Sequence, residues 1–155
     1  MRAYARRRID AGAADDTVSE VFLIAWRRLD DCPPDALPWL LACARRVLAN
    51  QRRGARRRGA LAERMSMTAA SVTHGSDVGD GVLGRALAEL SDLDREVLLL
   101  IAWEGLEPAR AAAAFECSRA ALAVRLHRAR RRLAAAIERV EATDAAGAQR
   151  MEVVR

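Results

Sequence analysis

The sequence predicts an all-α protein built as two small helical domains joined by a flexible linker, and three observations carry the prediction. Aromatic residues make up only 4% of a chain rich in Ala, Leu and Arg, whereas sheets draw on aromatic and β-branched residues. Apolar residues recur at helical spacing in several separate stretches. Between residues 54 and 81 that periodicity dissolves into Gly, Ser, Thr and Ala, the composition of a linker. The 155 residues leave room for two small domains on either side of it.

The elements follow in order. Val18, Phe22, Ala25 and Leu29 stand at i, i+4, i+7 and i+11, so a helix from Asp15 to Leu29 turns one apolar stripe inward, Phe22 included. Pro33, Pro34 and Pro38 then force a loop. A second helix starts near Pro38 or Trp39, places Leu40, Cys43, Ala44 and Val47 inward, and ends at Arg53 before Gly54. The linker carries at most a short helical piece at Leu61–Met65. A helix over Val82–Leu90 comes next. Ser91 with Asp94 three residues on is a helix start, the side-chain oxygen accepting a terminal backbone N–H. The helix it opens contains "REVLLLIAW", puts Trp103 in the core and stops at Gly105. Pro108 suits the first turn of a helix over 107–115. After a break at Glu116–Cys117, Ser118 caps a long helix running to about Val140, with Leu122, Leu126, Ala129 and Leu133 on one stripe. Residues 141–155 read as a frayed tail.

Charge narrows the function. The net charge is +5 and the pI about 10.3, which favours a polyanionic partner. All 26 basic residues are Arg. They are also unevenly placed: residues 10–35 hold seven acids against Arg27 and Arg28, residues 45–58 hold seven arginines and no acid, and residues 119–132 hold six arginines and no acid. Blocks of this kind imply surfaces with different partners. No apolar run reaches the roughly 18 residues of a membrane span, and no signal peptide opens the chain, so neither membrane insertion nor export is expected and the protein reads as cytoplasmic. Cys32, Cys43 and Cys117 fit neither a disulfide framework nor a zinc pattern and read as reduced packing residues. With His74 and His127 the only histidines, no metal site and no cofactor is expected. Nor does the chain offer a nucleophile–base pair or a phosphate loop, so it does not read as an enzyme.

The last helix answers the charge question. Arg125, Arg128 and Arg132 lie on a face separate from the Leu122–Leu133 stripe, and a short turn joins this helix to the one before it. That is the pattern of a helix-turn-helix: helix 107–115, turn 116–118, recognition helix from Arg119. Arginines on such a helix pair with guanine edges or neutralise phosphates.

The stretch "LSDLDREVLLLIAWEGLEPARAAAAFECSRAALAVRLHRARRRL" resembles region 4 of extracytoplasmic-function sigma factors of bacterial RNA polymerase, with Arg95–Leu100, Glu104–Leu106 and Arg125–Leu133 carrying the likeness. The N-terminal half resembles region 2 of the same family: "DDTVSEVFLIAW" is similar to its acidic segment and "PWLLACARRVLANQRRGARRR" to its promoter-opening helix. The resemblance implies a sigma factor that binds core RNA polymerase and directs promoter-specific initiation, with promoter DNA as partner and an anti-sigma factor as a further one the family allows. It assigns Asp16 and Glu20 to the coiled coil of the largest polymerase subunit. Trp39, Arg46, Asn50 and Arg53 go to the downstream (−10) element. There Asn50 pairs with adenine, the arginines meet phosphates, and Trp39 stacks on an unpaired base. Ser118, Arg119, Arg125, Arg128, Arg131 and Arg132 go to the upstream (−35) element.

The implied boundaries are 1–58 for region 2, 59–81 for the linker, 82–140 for region 4 and 141–155 for the tail. Four departures from the family stand out. Only Met1–Ala14 precede the acidic segment, where the family has a further helix. Glu116 replaces a Gly in the turn, and Glu107 replaces a Ser/Thr cap. Ala121, Ala123 and Val124 stand where the family often has polar residues. The alternative reading, a free-standing helix-turn-helix regulator acting without polymerase, explains residues 91–133 but gives the acidic segment and the 39–58 helix no role.

Overall fold

Short polar residues set where the helices begin. Asp10 accepts the amide of Ala13 at 3.0 Å, Ser91 that of Asp94 at 3.2 Å and Ser118 that of Ala121 at 3.1 Å, each satisfying an otherwise orphaned N-terminal N–H. The computed structural model describes residues 1–65 and 81–153. In order these form α1 (Arg2–Arg6), α2 (Ala11–Arg27), a 3-10 turn (Leu29–Asp31), α3 (Ala36–Met65), α4 (Val82–Glu89), α5 (Asp92–Ala102), α6 (Pro108–Ala114) and α7 (Arg119–Val153). The described residues contain no strand. The chain divides into two units, residues 1–77 and 78–155.

In the N-terminal unit α1 packs on α2 and α2 on α3. Tyr4 is almost wholly buried, and the Arg8 guanidinium lies 3.6 Å over its ring while donating to the Tyr4 carbonyl. Arg52 of α3 reaches back to the Arg8 carbonyl at 3.2 Å, so the arginines fasten the amino terminus to the third helix. The buried face of α2 is Ala14, Thr17, Val21 and Ala25, against Leu41, Cys43, Ala44, Val47 and Leu48 of α3. This corrects the expected stripe. Val18 is only partly buried, and Phe22 and Leu29 are 49% and 58% exposed. The cause is Thr17. Its hydroxyl lies 2.8 Å from the Ala13 carbonyl oxygen and 3.1 Å from Gln51 Oε1 on α3, which lets a polar residue sit in the core and rotates the buried face by about one residue.

Helix α3 does not stop at Arg53; it passes through Gly54 to Met65. The extension carries two glycines, Gly54 and Gly59, each costing a helix interior roughly 1 kcal/mol relative to Ala, and the surrounding Ala and Arg residues favour the helix enough to offset them. The first part of the expected linker is therefore helical, and residues 66–80 lie outside the described ones.

In the C-terminal unit α4, α5 and α6 all pack on α7, which supplies Leu122, Ala129, Ala136 and Val140 to the core with Leu126 and Leu133 beside them. Alanines at that seam leave room for close approach. Ala86 of α4 meets Ala136 and Val140, flanked by Val82 and Ile137. From α5 and α6 come Val97, Leu99, Leu100, Ala111, Ala114 and Phe115. Gly105, at φ +62°, turns the chain after α5, and the Leu106 amide then donates to the Leu100 carbonyl as Leu106 enters the core. Leu106 thereby takes the place expected of Trp103, which sits beyond the last turn of α5 and is 43% exposed.

Helix α7 also outruns its expected end at Val140 and continues to Val153. Two side-chain pairs tie its distal part to α4: Arg139 donates to Glu89 at 2.6 Å, and Arg85 to Asp144 at 2.7 Å. Hydrogen bonding from Arg85 holds the Asp144 carboxyl below its ordinary value, so that pair is present at neutral pH and is lost only as pH falls through the lowered pKa.

Arg95 joins α5 to the end of α4. Its Nε donates to the Leu87 carbonyl at 2.7 Å, and Nη2 donates to the carbonyls of Ala88 and Leu90 at 2.9 and 3.1 Å. These are carbonyls at the C-terminal end of α4, and a cation there also meets the negative pole of the helix. Replacing Arg95 with Ala is expected to lower the stability of the C-terminal unit by about 1.5–3 kcal/mol, the worth of hydrogen bonding by a charged donor. Arg95→Lys should restore less than half of it, because an ammonium cannot span three carbonyls. Urea unfolding followed by Trp103 fluorescence, with Trp26 and Trp39 replaced by Phe, reads the unit alone.

Candidate nucleic-acid interface

Helices α6 and α7 are joined by Phe115–Ser118. Pro108 stands at the start of α6 after Glu107, whose side chain makes no cap. At the turn Glu116 adopts φ +53°, the left-handed region where a residue with a Cβ is strained. Ser118 then caps α7. This is a helix-turn-helix in which α7 is the recognition helix.

Burial of the Leu122–Ala129–Ala136–Val140 seam decides what α7 shows to solvent. Ala120, Val124, His127, Arg128 and Arg131, at i, i+4, i+7, i+8 and i+11, lie on the side away from the seam, and all five are exposed. Arg119 is exposed at the first turn. The other two predicted arginines have work within the unit. Arg132 Nη1 lies 2.5 Å from Oδ2 of the buried Asp94, whose carboxylate also accepts the Ser91 hydroxyl at 2.8 Å. Arg125 is half-buried, its guanidinium 5.7 Å from the centre of the Phe115 ring. Between the start of α5 and the first turns of α7 runs an open groove of about 520 Å³, lined by Leu93, Ala120, Ala121 and Val124, by Ser91 and Asp94, and by Arg125, Arg128 and Arg132. The arginines of this face are evident from sequence by their charge; Val124 and His127 are not. Projecting α7 around its buried seam finds both.

In the N-terminal unit Arg46 and Asn50 lie along one side of α3, Arg46 exposed and Asn50 exposed one turn on, with Arg53 exposed beyond them and Trp39 partly buried at the helix start in the same register. Arg53 donates to the Asn50 side-chain oxygen. Arg57, one turn further on, extends the stripe and escaped the sequence reading. On α2 Asp16 and Glu20 are both exposed, Glu20 accepting the Gln51 amide at 3.3 Å. Beside them lies an exposed apolar band, of which Phe22 and Leu29 are expected inward from helical periodicity. Phe22, Leu23, Trp26 and Leu29 are 49%, 50%, 75% and 58% exposed. Acids bordering an exposed apolar band on one helix describe a protein-docking surface.

Among the described residues no group of three His, Cys, Asp or Glu could hold a metal ion, and no helix is long and apolar enough to cross a membrane. Cys32, Cys43 and Cys117 form no disulfide.

An α-helical chain with a helix-turn-helix in one unit and a basic helix beside an acidic–apolar face in the other belongs to the DNA-binding proteins of transcription. Comparison with known families makes this specific. The family model "Sigma-70 region 2" matches residues 1–58, and "Sigma-70, region 4" matches residues 81–133. Among solved structures, the sigma factor RpoE from Bartonella quintana, crystallised with the anti-sigma factor NepR, is similar at a TM-score of 0.63 and 26% identity, over 88% of this chain and 89% of that one. CnrH, solved with the cytosolic domain of CnrY, is similar at a TM-score of 0.60 and 27% identity, over 88% of this chain and 79% of that one. No curated protein matches the sequence. The chain belongs to the sigma-70 family as a sigma factor of the extracytoplasmic-function kind, which binds core RNA polymerase and directs transcription initiation at promoters. The region 2 match leaves a free-standing helix-turn-helix regulator the disfavoured reading. Sigma factors are not enzymes in general.

The strained turn supplies a test of the helix-turn-helix geometry. Glu116→Gly relieves a left-handed conformation worth about 1–2 kcal/mol, against about 0.5–1 kcal/mol of added chain entropy in the unfolded state. The variant is expected to be more stable by about 0.5–1 kcal/mol in urea. A loss of stability would show that the turn is not left-handed there.

Proposed function

We propose that the two units divide the work of initiation between three faces. The acidic–apolar face of α2 docks on core polymerase, the exposed stripe of α3 engages the downstream element, and the outer face of α7 holds the upstream element. Domain limits of 1–58 and 82–140 fit this division, with the helix-turn-helix at the centre of the second. The observation that carries the polymerase assignment is the exposure of Trp26 and its apolar neighbours next to Asp16 and Glu20. Aromatic anchors ringed by charge are where binding energy concentrates in protein interfaces, and acids there suit a basic helix of the largest polymerase subunit.

On α7 the roles separate by availability. Arg119, Arg128 and Arg131 are exposed and suit phosphates or base edges, while Arg125 and Arg132 stiffen the recognition helix through Phe115 and Asp94. Ser118 serves first as the cap of α7. On α3 Arg46, Arg53 and Arg57 track the phosphates of the downstream element, and Asn50, oriented by Arg53, presents its amide to a base. Trp39 supplies a stacking surface. The chain acts in the cytoplasm, where its polymerase works, and the bond-making chemistry belongs to the polymerase. Both structural neighbours were solved with partner proteins, NepR in one case and CnrY in the other, which supports an anti-sigma regulator for this chain too.

The test is a crossed pair of variants in the full chain. Asp16→Arg with Trp26→Ala is expected to weaken binding to core polymerase by at least about tenfold, since like charges across an interface cost several kcal/mol. It should leave affinity for an upstream-element duplex unchanged. Arg128→Ala with Arg131→Ala should keep polymerase affinity and lower the salt slope of duplex binding by about 0.9 for each phosphate no longer neutralised. Polymerase binding undisturbed in the first variant, or a salt slope undisturbed in the second, contradicts the face assigned to it.

A further inference from the structure

We infer that Val124 is a specificity residue that recognises the 5-methyl group of thymine in the upstream element, so that this sigma factor reads part of its promoter through apolar rather than hydrogen-bonded contact. The inference rests on the assignment of α7 to duplex DNA and says what kind of base the helix selects.

The first two turns of α7 hold very little that can hydrogen bond to a base. Ala120, Ala121, Ala123 and Val124 carry no donor or acceptor, and all four are exposed. The Ser118 hydroxyl is engaged by the Ala121 amide at the cap. Arg125 is directed at the Phe115 ring. Arg119 and the O–H of Ser118, which only accepts at the cap, remain the donors of these turns open to a base edge. Yet these are the turns that a helix-turn-helix lays deepest against the bases, the later turns leaning toward the backbone.

What those turns do present is a branched apolar side chain. Val124 is 51% exposed at the middle of the outer face, and it lines the groove with Ala120, Ala121 and Leu93, where Ser91 and Asp94 also stand. Arg128 and Arg131, exposed on the same outer face, suit the phosphates that flank a duplex groove. In the major groove only thymine offers an apolar group, its 5-methyl. An exposed branched apolar side chain among alanine methyls is complementary to that group and finds no methyl to meet on a G·C pair. The direction of selection is therefore toward T·A pairs facing Val124.

The experiment is a selection from a randomised duplex library by the full chain bound to core polymerase, run on two libraries that differ only in containing thymine or uracil. Uracil keeps every hydrogen-bonding group of thymine and lacks the methyl. From the thymine library an upstream element with one or two fixed T positions is expected. Those positions should lose their preference in the uracil library, and also when Val124→Ala is used on thymine. With the selected duplex, a single thymine-to-uracil change should weaken the wild type about fourfold, the value of one methyl group removed from water. The same change should leave Val124→Ala unaffected. Val124 is exposed, so the substitution keeps the fold, and its salt slope should match that of the wild type.

The same T positions emerging from both libraries, or from Val124→Ala, would overturn the inference while leaving α7 as the DNA-binding helix. An upstream element absent from every selection would remove the DNA assignment of α7 and this inference with it.

Discussion

The C-terminal unit depends on the burial of one seam along α7. Leu122, Ala129, Ala136 and Val140 must leave water, and α4, α5 and α6 each supply part of the surface that lets them do so. Once the seam is inward, the helix has no freedom left about its own axis. Val124, Arg128 and Arg131 then face solvent because of what is buried behind them. The ion pair of Asp94 with Arg132 and the contact of Arg125 with Phe115 sit on the flank of the same helix and oppose its rotation. Recognition of DNA by this unit is a consequence of hydrophobic packing before it is a matter of arginines.

A comparable logic governs the N-terminal unit with the roles of polar and apolar residues exchanged. Thr17, a polar residue, occupies the core because Ala13 and Gln51 satisfy its hydroxyl, and the large apolar residues Phe22, Leu23 and Trp26 remain outside. Leaving that much apolar surface in water is costly for an isolated domain. It becomes favourable when a partner covers it, which is the condition expected of a subunit that works bound to polymerase.

Local signals were legible in the sequence. The caps at Ser91 and Ser118, the proline opening α6, the glycine after α5 and the seam of α7 all express interactions within a few residues, and the structure contains each of them. Two-unit organisation and the family followed from motif order. What escaped was set by partners distant in sequence. Thr17 meets Gln51 across 34 positions, and that contact rotates α2. Arg95 looks like a surface charge until the end of α4 is placed beside it. Helix α7 continues past Val140 where Arg139 and Arg85 reach Glu89 and Asp144 across 50 and 59 positions. Among the site residues the arginines were visible by charge. Their separation into exposed and internally engaged ones, and the apolar residues that matter on both faces, needed the fold.

In this reading one chain couples core polymerase to promoter DNA through two separate units. Run-off transcription with purified core polymerase and the full chain, on a library of promoter fragments, measures that coupling. Transcripts are expected from defined start sites only when the chain is present, with both an upstream and a downstream element shared by the active fragments. A chain that binds the upstream element but supports no transcript with core polymerase would contradict it.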